Sequence, residues 1–202
     1  VFDLRAVNSL CSTYGYTLPR ISDLLRKAAG GRVFSSMDLT QGFYQMRLSK
    51  KTQPLSTIST PFGHFVFTVP PMGMASVPGH FQEMVDQVFS CLSSFLSVYI
   101  DDILVYSATF DEHLTHLEDT FRTLRDNQLF INPAKCHFCM RRLHFLGLSL
   151  SHKKIGMLPK HTSTILDDTK PTTAGALSTW LGTLNYYRAF VPQFATLATP
   201  LY

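Results

Sequence analysis

The 202-residue sequence has little cysteine, little charge and no long apolar run. Four cysteines are too few for a small protein held together by disulfides, and without a secretion signal they fit a reducing compartment. No apolar stretch approaches the ~18 residues that a membrane-spanning helix needs, so we expect no membrane contact. No internal repeat or low-complexity tract is visible, which argues against a solenoid or a disordered chain.

The sequence does contain enough apolar material for a sizeable core. Hydrophobic residues make up 45% of the chain and charged residues 16%. The formal net charge of +4 permits a polyanionic partner such as nucleic acid but does not require one. The chain lacks an initiator Met, and its last residues carry no tail signal, so we expect it to be part of a longer polypeptide.

Short β-prone segments alternate with amphipathic helical segments. Flanking turn residues and β-branched or aromatic content predict strands at Val33–Met37, Phe65–Val69, Phe95–Tyr106 (interrupted) and Leu143–Leu148. Apolar spacing predicts helices from Pro78 to Leu92, after an N-cap at Asp111, and over Ala174–Phe190. Residues 151–172 are polar and are predicted to be a linker. Because short strands follow one another closely, we expect an antiparallel sheet in an α+β fold.

Two adjacent acids, Asp101 and Asp102, separate two apolar runs. They could form a plain hairpin turn that faces water, although such turns favour Asn-Gly or Asp-Gly. Because adjacent like charges repel, a divalent cation is the alternative that would offset their repulsion. Asp38 ends another apolar strand, where it could equally be an N-cap. If the two strands are neighbours, Asp38 and Asp101 meet at one edge of a sheet.

Clustered carboxylates are hard oxygen ligands that suit Mg²⁺. Two such ions about 3.5–4 Å apart can stabilise the attacking and leaving oxygens of a phosphoryl transfer. Zinc is a weaker hypothesis, based on Cys136, His137 and Cys139 with His144 downstream. The C-x-x-C pair lacks the second pair that a zinc finger needs.

Six segments resemble, in order and spacing, the motifs of reverse transcriptases. They are FSSMDLTQGFYQMRL (34–48), PMGMASVPGHFQ (71–82), VYIDDILVYS (98–107), NPAKC (132–136), FLGLSLS (145–151) and LGTLNYYRAF (181–190). The chain most resembles the reverse transcriptase domain of gypsy-type (Metaviridae) long-terminal-repeat retrotransposon Pol polyproteins. This resemblance implies the palm of a right-hand polymerase, whose antiparallel sheet is backed by helices. Residues 1–150 would form partial fingers and the palm. Residues 151–202 would form a linker and the start of the thumb or connection region.

The resemblance also implies roles for individual residues. Asp38, Asp101 and Asp102 match the catalytic carboxylates, which with the Leu39 carbonyl would hold two Mg²⁺ ions, replaceable by Mn²⁺. The residues that match substrate-binding positions are Phe43, as a steric barrier to a 2′-hydroxyl, together with Met72, Gly73 and Lys135. Those that match nucleic-acid-binding positions are Arg5, Pro78, Gln82 and the primer-grip segment Phe145, Leu146 and Gly147.

Most of these residues also have an ordinary structural interpretation. Phe43 could be one of many core aromatics, Lys135 a surface lysine and Gln82 a solvated helix residue. The sequence also departs from the family pattern at Met72, at Ser76-Val77-Pro78 and over Thr52–Thr57, where a lysine near the template is missing. The segment that binds the triphosphate and the remaining thumb, connection and ribonuclease H parts are expected outside this chain.

The sequence therefore predicts an RNA-directed DNA polymerase that adds dNTPs to a primer on an RNA or DNA template. Its expected covalent neighbours are protease, ribonuclease H and integrase domains of a polyprotein. Its expected location is a cytoplasmic virus-like particle, from which DNA reaches the nucleus. One alternative is a catalytically silent, element-derived domain that binds nucleic acid or a protein. An RNA-dependent RNA polymerase is another, against which the bulk of Phe43 argues.

Overall fold

The computed structural model describes residues 3–10, 15–159, 162 and 171–201. The helices are α1 Arg5–Leu10, α2 Ile21–Ala28, α3 Gly42–Gln45, α4 Val77–Val88, α5 Phe110–Asp126, α6 Ala174–Tyr186 and α7 Phe194–Ala198. The strands are β1 Val33–Asp38, β2 Ile58–Thr60, β3 Gly63–Phe65, β4 Leu96–Tyr99, β5 Asp102–Ser107, β6 His137–Met140, β7 Arg142–Phe145, β8 Leu148–Ser151 and β9 Lys154–Met157. Short 3₁₀ turns lie at Gln53–Ser56, Ser90–Leu92, Pro133–Lys135, Arg188–Phe190 and Thr199–Leu201.

The described residues divide into two units. The first comprises the chain up to Leu143 together with Ser151–Lys153, and the second comprises His144–Leu150 and the chain from Lys154 onwards. No helix among the described residues is both long enough and apolar enough to cross a membrane.

The main sheet of the first unit is antiparallel and has the strand order β4-β5-β1-β6. The register of the central pair runs from Val33 opposite Ser107 to Asp38 opposite Asp102. The end of β1 and the start of β5 therefore lie at the same edge. This arrangement of antiparallel strands and helices confirms the expected α+β class.

The core of the first unit is formed by one face of this sheet with α4 and α5. Its buried members are Met37, Leu39, Phe81, Val85, Phe89, Leu96, Val98, Ile103, Val105, Leu117, Leu124 and Leu129. Pro78 stands in the first turn of α4, where the missing N–H has no helical partner to lose. The predicted apolar face of α4 is confirmed, because Phe81 and Val85 are completely buried.

The start of α5 differs from the prediction. Thr109, not Asp111, is the N-cap: its side chain accepts from the Glu112 N–H over 3.3 Å, and Glu112 accepts from the Thr109 N–H over 3.2 Å. This reciprocal pair is a capping box. Asp111 lies in the first turn instead, where its negative charge faces the positive end of the helix dipole.

Three other predicted elements are wrong in extent. The strand predicted at Phe65–Val69 ends at Phe65, since its partner β2 has only three residues. The strand predicted at Leu143–Leu148 is two strands, β7 and β8, separated by left-handed residues at Leu146 and Gly147. The predicted linker contains β9, although residues 160, 161 and 163–170 of it lie outside the described residues.

A buried polar network joins α5 to both central strands of the sheet. His113 is completely buried, and its ring nitrogens lie 2.7 Å from the hydroxyl oxygens of Ser35 in β1 and Ser107 in β5. Ser107 also lies 2.8 Å from Nδ1 of His116, and Ser35 accepts the N–H of Cys139 over 3.0 Å. Burial, together with the nearby His116, lowers the pKa of His113 to about 4, so the ring is neutral at pH 7.

Candidate active site

Three carboxylates meet at one edge of the four-stranded sheet. Asp38 is the last residue of β1 and pairs with Asp102, the first residue of β5. Asp101 lies in the turn between β4 and β5, because Tyr99 pairs with Asp102. The Leu39 N–H donates to the Asp101 carbonyl over 2.8 Å, which connects the end of β1 to this turn. The structure thus brings the three acids together, as expected from the sequence.

The turn between β4 and β5 has an uncommon backbone. Ile100 has a φ of 53°, in the left-handed region that β-branched residues rarely adopt. Gln82 of α4 is completely buried and accepts the Ile100 N–H over 2.7 Å. The two turn residues are therefore Ile100 and Asp101, and Asp102 already belongs to the strand. A hairpin turn is present, but not with both acids in it.

Asp101 is partly enclosed rather than turned fully to water. Its Oδ1 is inaccessible to solvent and has no hydrogen-bond partner among the described residues. The enclosure comes from Gly42, at which a Cβ would lie 2.0 Å from Asp101 Oδ1 and 2.9 Å from Phe81 Cζ. Any side chain at position 42 would therefore force the Asp101 carboxylate, and with it the Phe81 ring, to shift.

The electrostatics of the three acids favour a bound cation. Burial, with the negative charges of Asp38 and Asp102 as further causes, raises the pKa of Asp101 to about 6, although the positive charge of Lys135 acts in the opposite direction. Burial also raises the pKa of Asp102, with Asp38 as the second cause. Two adjacent carboxyl groups with raised pKa values, Asp101 and Asp102, are characteristic of a functional site.

The side chain of Lys135 supplies one such charge. Its Nζ lies 3.2 Å from Oδ2 and 3.3 Å from Oδ1 of Asp38. Lys135 ends a 3₁₀ turn that is tied to β1 by Asn132, whose N–H donates to the Asp38 carbonyl over 2.8 Å. Because the lysine side chain is 63% exposed, the ion pair contributes little stability and is readily broken.

The donor atoms fit a hard divalent cation. Over the described ranges, no three His, Cys, Asp or Glu side chains are grouped so that they alone could hold a metal ion. Mg²⁺ in polymerase-type sites does not need such a cage, since it commonly takes one or two carboxylates and completes its shell with phosphates and water. The solvent-inaccessible, unpartnered Oδ1 of Asp101 beside Asp38 matches this requirement.

Comparisons with known proteins agree with this geometry. Residues 1–150 match the family model for reverse transcriptase (RNA-dependent DNA polymerase). The chain belongs to the reverse transcriptase family. It is 32% identical over 203 residues to Polyprotein P3 of Commelina yellow mottle virus, and 31% identical over 202 residues to the transposon Tf2-3 polyprotein of Schizosaccharomyces pombe. The transposon relative agrees with the gypsy-type resemblance.

A solved reverse transcriptase structure confirms the palm fold. The foamy viral protease-reverse transcriptase in complex with an RNA/DNA hybrid matches with a TM-score of 0.88 and 29% identity. That match covers 100% of this chain and 27% of the viral one. The two polyproteins above are likewise covered only to 11% and 15%, although each alignment takes in the whole of this chain.

Two of the substrate-binding residues expected in this chain, Met72 and Gly73, lie on a loop outside the sheet edge that carries the acids. Met72 is 66% exposed, and Gly73 has a φ of 101°. Asn8 of α1 holds the loop from both sides: its Nδ2 donates to the Gly73 carbonyl over 2.9 Å, and its Oδ1 accepts the Ala75 N–H over 2.9 Å. The exposed Met72 thus stands on a well-anchored backbone.

Phe43 lies next to the glycine that contacts Asp101. It is the second residue of α3, and its ring packs edge-on against Phe81 with centroids 5.3 Å apart. The side chain is half-buried, so one part joins the core and another remains accessible. Phe43 is therefore in part a core aromatic, and it follows directly in sequence the glycine that approaches Asp101.

The expected nucleic-acid contacts of the first unit fall in different environments. Arg5 is exposed and paired with Asp3 over 2.6 Å, which raises the pKa of the arginine. Pro78 is half-buried at the start of α4. Gln82 is completely buried, so it has no surface to offer a template strand, contrary to expectation.

The expected primer-grip residues belong to the second unit. Phe145 is buried at the end of β7, and Leu146 and Gly147 form the left-handed turn that follows, with φ values of 46° and 71°. The hydroxyl of Tyr186 in α6 donates to the Leu146 carbonyl. A β-hairpin expected from the family resemblance is thus present at this position.

Three further residues that shape the site were not predicted from the sequence. They are Gly42, Asn8 and Gln45, the last of which donates to the Thr40 and Phe130 carbonyls over 2.6 and 2.8 Å. In the sequence, Gly42 looks like a glycine that a turn needs for its backbone conformation. The left-handed residue of that turn is Gln41 instead, so Gly42 is explained by its contact with Asp101. Side-chain amides such as those of Asn8 and Gln45 give no local signal, because their partners are distant in sequence.

Proposed function

We propose that this chain is the catalytic core of an RNA-directed DNA polymerase that joins a dNTP to a primer 3′-hydroxyl. The observation that carries the proposal is the meeting of Asp38, Asp101 and Asp102 at one sheet edge in a member of the reverse transcriptase family. The presence of all three acids, although burial of Asp101 and Asp102 opposes their ionisation, favours an active enzyme over a silent binding domain.

In this proposal the acids hold two Mg²⁺ ions, or Mn²⁺ in their place. Asp38 and Asp101 supply the main ligands, and Asp102 and the Leu39 carbonyl are the further ones. The bound metal would lower the pKa of the primer hydroxyl and balance the phosphate charge. The chain itself contributes a partly enclosed position for the Asp101 carboxylate, where charge interactions are stronger than in bulk water.

Phe43, Met72, Gly73 and Lys135 form the proposed dNTP side of the site. The accessible part of Phe43 would exclude a 2′-hydroxyl by bulk alone, and Met72 would pack against the base or sugar. Lys135 is proposed to exchange its weak pairing with Asp38 for the phosphates of the nucleotide. There its ammonium can balance the charge of the leaving pyrophosphate or donate a proton to it.

We propose that the nucleic-acid partner is a primer on an RNA or DNA template. The foamy viral enzyme that matches this chain was solved with an RNA/DNA hybrid, which supports this choice. Arg5, Pro78 and the Phe145–Gly147 turn are the proposed contacts on this chain. Arg5 would have to leave Asp3 to bind a phosphate, which exposed arginines do at little cost.

The proposed assignment of residue ranges to subdomains follows the order of the family along the chain. Residues 1–150 are assigned to partial fingers and palm, and residues 151–202 to a linker and the start of the thumb or connection. Protease, ribonuclease H and integrase domains are proposed as neighbours in the parent polypeptide, meaning the natural polypeptide in which these residues occur. The proposed location is a cytoplasmic virus-like particle, with transfer of DNA to the nucleus.

Primer extension by the parent polypeptide tests this function. With an RNA template, a DNA primer, dNTPs and Mg²⁺, we expect extension that stops when the metal is chelated. Asp101→Asn should lower the extension rate by about a thousandfold or more, because a main metal ligand loses its charge. The circular dichroism spectrum should remain that of the unchanged protein.

The matched control is Asp126→Asn, which removes an exposed carboxylate at the end of α5. It should extend at the unchanged rate. If Asp101→Asn extends as fast as the control, the catalytic assignment is wrong. If the unchanged protein is folded and binds the hybrid but never extends it, a silent nucleic-acid-binding domain becomes the better explanation.

A further inference from the structure

Gln82 stands in an uncommon place for a polar side chain. It lies on α4 and has an exposed fraction of 0%. Its Oε1 accepts the Ile100 N–H over 2.7 Å, and its Nε2 donates to the Val98 carbonyl over 3.2 Å and to Asp86 Oδ1 over 3.0 Å. Loss of this amide would leave three polar partners without these bonds: the Ile100 N–H next to Asp101, the Val98 carbonyl in β4 and Asp86.

The partners also determine how the amide is oriented. The Ile100 N–H can only donate and therefore faces Oε1, whereas the carbonyl and the carboxylate can only accept and therefore face Nε2. Asp86 is itself held by the Tyr16 hydroxyl, which donates to Oδ2 over 2.5 Å. A continuous chain of hydrogen bonds therefore runs from Tyr16 through Asp86 and Gln82 to the turn.

Ile100 is a residue that needs such support. Its φ of 53° suits glycine or asparagine, whereas a β-branched side chain is crowded there. The next residue is Asp101, whose carbonyl accepts the Leu39 N–H and whose Oδ1 is enclosed beside Gly42. Relaxation of the Ile100 backbone would therefore displace the Asp101 carboxylate from its enclosed position.

We propose that Gln82 is a positioning residue, whose amide holds Ile100 in the left-handed conformation and so sets the location of the Asp101 carboxylate. The inference rests on the proposed polymerase function, because it assigns Gln82 a part in that same site. It replaces the template contact expected from the sequence, which a completely buried side chain cannot make.

The test is Gln82→Met in the parent polypeptide, since Met retains the length of the side chain and removes its three hydrogen bonds. We expect kcat for primer extension to fall about 10–100-fold, as for other small displacements of reacting groups. KM for the template-primer should stay within about twofold, because no contact with it is lost. The matched control is Gln87→Met on the exposed part of the same helix, which should retain the unchanged kcat.

A second substitution tests whether the effect passes through the turn. Glycine adopts a left-handed conformation freely, so Ile100→Gly should reduce the dependence of the turn on Gln82. We therefore expect Gln82→Met to cost only about threefold in kcat when Ile100→Gly is also present, a non-additive effect. If Gln82→Met alone does not fold, the double variant is compared with Ile100→Gly at a temperature where circular dichroism shows both folded.

The outcomes separate this inference from the proposed function. Equal kcat in Gln82→Met and the unchanged protein overturns the inference and leaves the polymerase function standing. A raised KM for the template-primer at unchanged kcat overturns it in favour of a template contact. If the effects of Gln82→Met and Ile100→Gly on kcat are additive, Gln82 does not act through the backbone of Ile100, and the inference is wrong on that point. If the unchanged protein does not extend the primer, the proposed function fails, and the inference that rests on it fails too.

Discussion

A glycine and a carboxylate lie close together in the candidate site. Gly42 begins α3, and Asp101 lies in the turn between β4 and β5. The absence of a side chain at position 42 lets the carboxylate withdraw from solvent without a hydrogen-bond partner. An unpartnered buried oxygen is costly for a fold and useful for binding a cation.

At this scale we predict that Gly42→Ala strongly slows primer extension. The new Cβ would lie 2.0 Å from Asp101 Oδ1, so the carboxylate must move. We expect a loss of about a hundredfold or more in kcat, since misplacement by about 1 Å costs this much. Primer extension by the parent polypeptide measures the loss.

Gly30→Ala is the matched control for this substitution. A Cβ at Gly30 would meet nothing within 4 Å, and the residue has no positive φ. It should leave extension unchanged. Equal activity of the two alanine variants would show that Asp101 does not need the enclosure that Gly42 gives it.

At the scale of elements, α5 is attached to the sheet by a histidine rather than by apolar contacts alone. His113 lies between Ser35 of β1 and Ser107 of β5, at 2.7 Å from each hydroxyl. Both ring nitrogens are thereby used while the ring is neutral, with one as donor and the other as acceptor. A protonated ring would need two acceptors in a place that excludes water.

We therefore predict that acid weakens this attachment. The pKa of His113 is about 4 in the folded chain and near 6.5 when unfolded, so the unfolded chain binds the extra proton between these values. The contribution of His113 to the free energy of unfolding should fall as the pH drops from about 6.5 to about 4, by at most about 1.4 kcal/mol per pH unit for one proton. Asp101 acts in the opposite direction below about pH 6, so the His113 contribution is the difference in slope between the unchanged protein and a His113 variant. Urea titrations at several pH values measure this slope.

His113→Gln should remove much of that slope, although it also weakens the fold at pH 7. The exposed His144 offers the matched control, because His144→Gln should leave the slope unchanged. If the slope is the same in both variants, other groups than His113 cause the acid sensitivity.

Helix and strand positions could mostly be predicted from local patterns. Pro78 and the apolar spacing after it predicted α4, since a helix has a fixed period and a preferred first turn. The cap of α5 was misassigned because Asp111 and Thr109 are both good caps, and only the contact with Glu112 distinguishes them. The strand predicted at Phe65–Val69 lies instead at Gly63–Phe65, because the position of β3 depends on its pairing with β2.

At the scale of the whole molecule, the candidate site lowers the stability of the fold that carries it. The folded-state pKa of Asp101, about 6, lies above its ordinary value of 3.8, so the folded chain holds the proton more tightly than the unfolded chain. The stability that this proton confers is present at low pH and is lost as the pH rises through about 6. At pH 7 the ionised carboxylate therefore opposes folding.

We predict that Asp101→Asn raises the melting temperature of the metal-free protein at pH 7. The expected gain is roughly 2–4 °C for each kcal/mol recovered in a chain of this size. Added Mg²⁺ should stabilise the unchanged protein more than the variant, because only the former retains the charged ligand. An unchanged melting temperature, as expected for Asp126→Asn, would contradict this account of Asp101.

The meeting of the three acids at one sheet edge could be predicted from the sequence, but the residues that hold them there could not. Asp38, Asp101 and Asp102 stand out because acids at the ends of apolar strands are locally anomalous, and the motif order then identified the family. Gly42 and Gln82 look ordinary in their own segments. Their importance arises from contacts with the turn at Ile100 and Asp101, which exist only after the sheet has formed.

The glycine at position 42 has a consequence for the gene as well as for the protein. Every amino-acid-changing single-base substitution in a glycine codon either adds a side chain or stops translation. Any side chain at position 42 meets the Asp101 carboxylate. If the proposed polymerase function holds, this one codon in the gene would therefore report whether the Asp101 carboxylate can keep its place, before any protein is made.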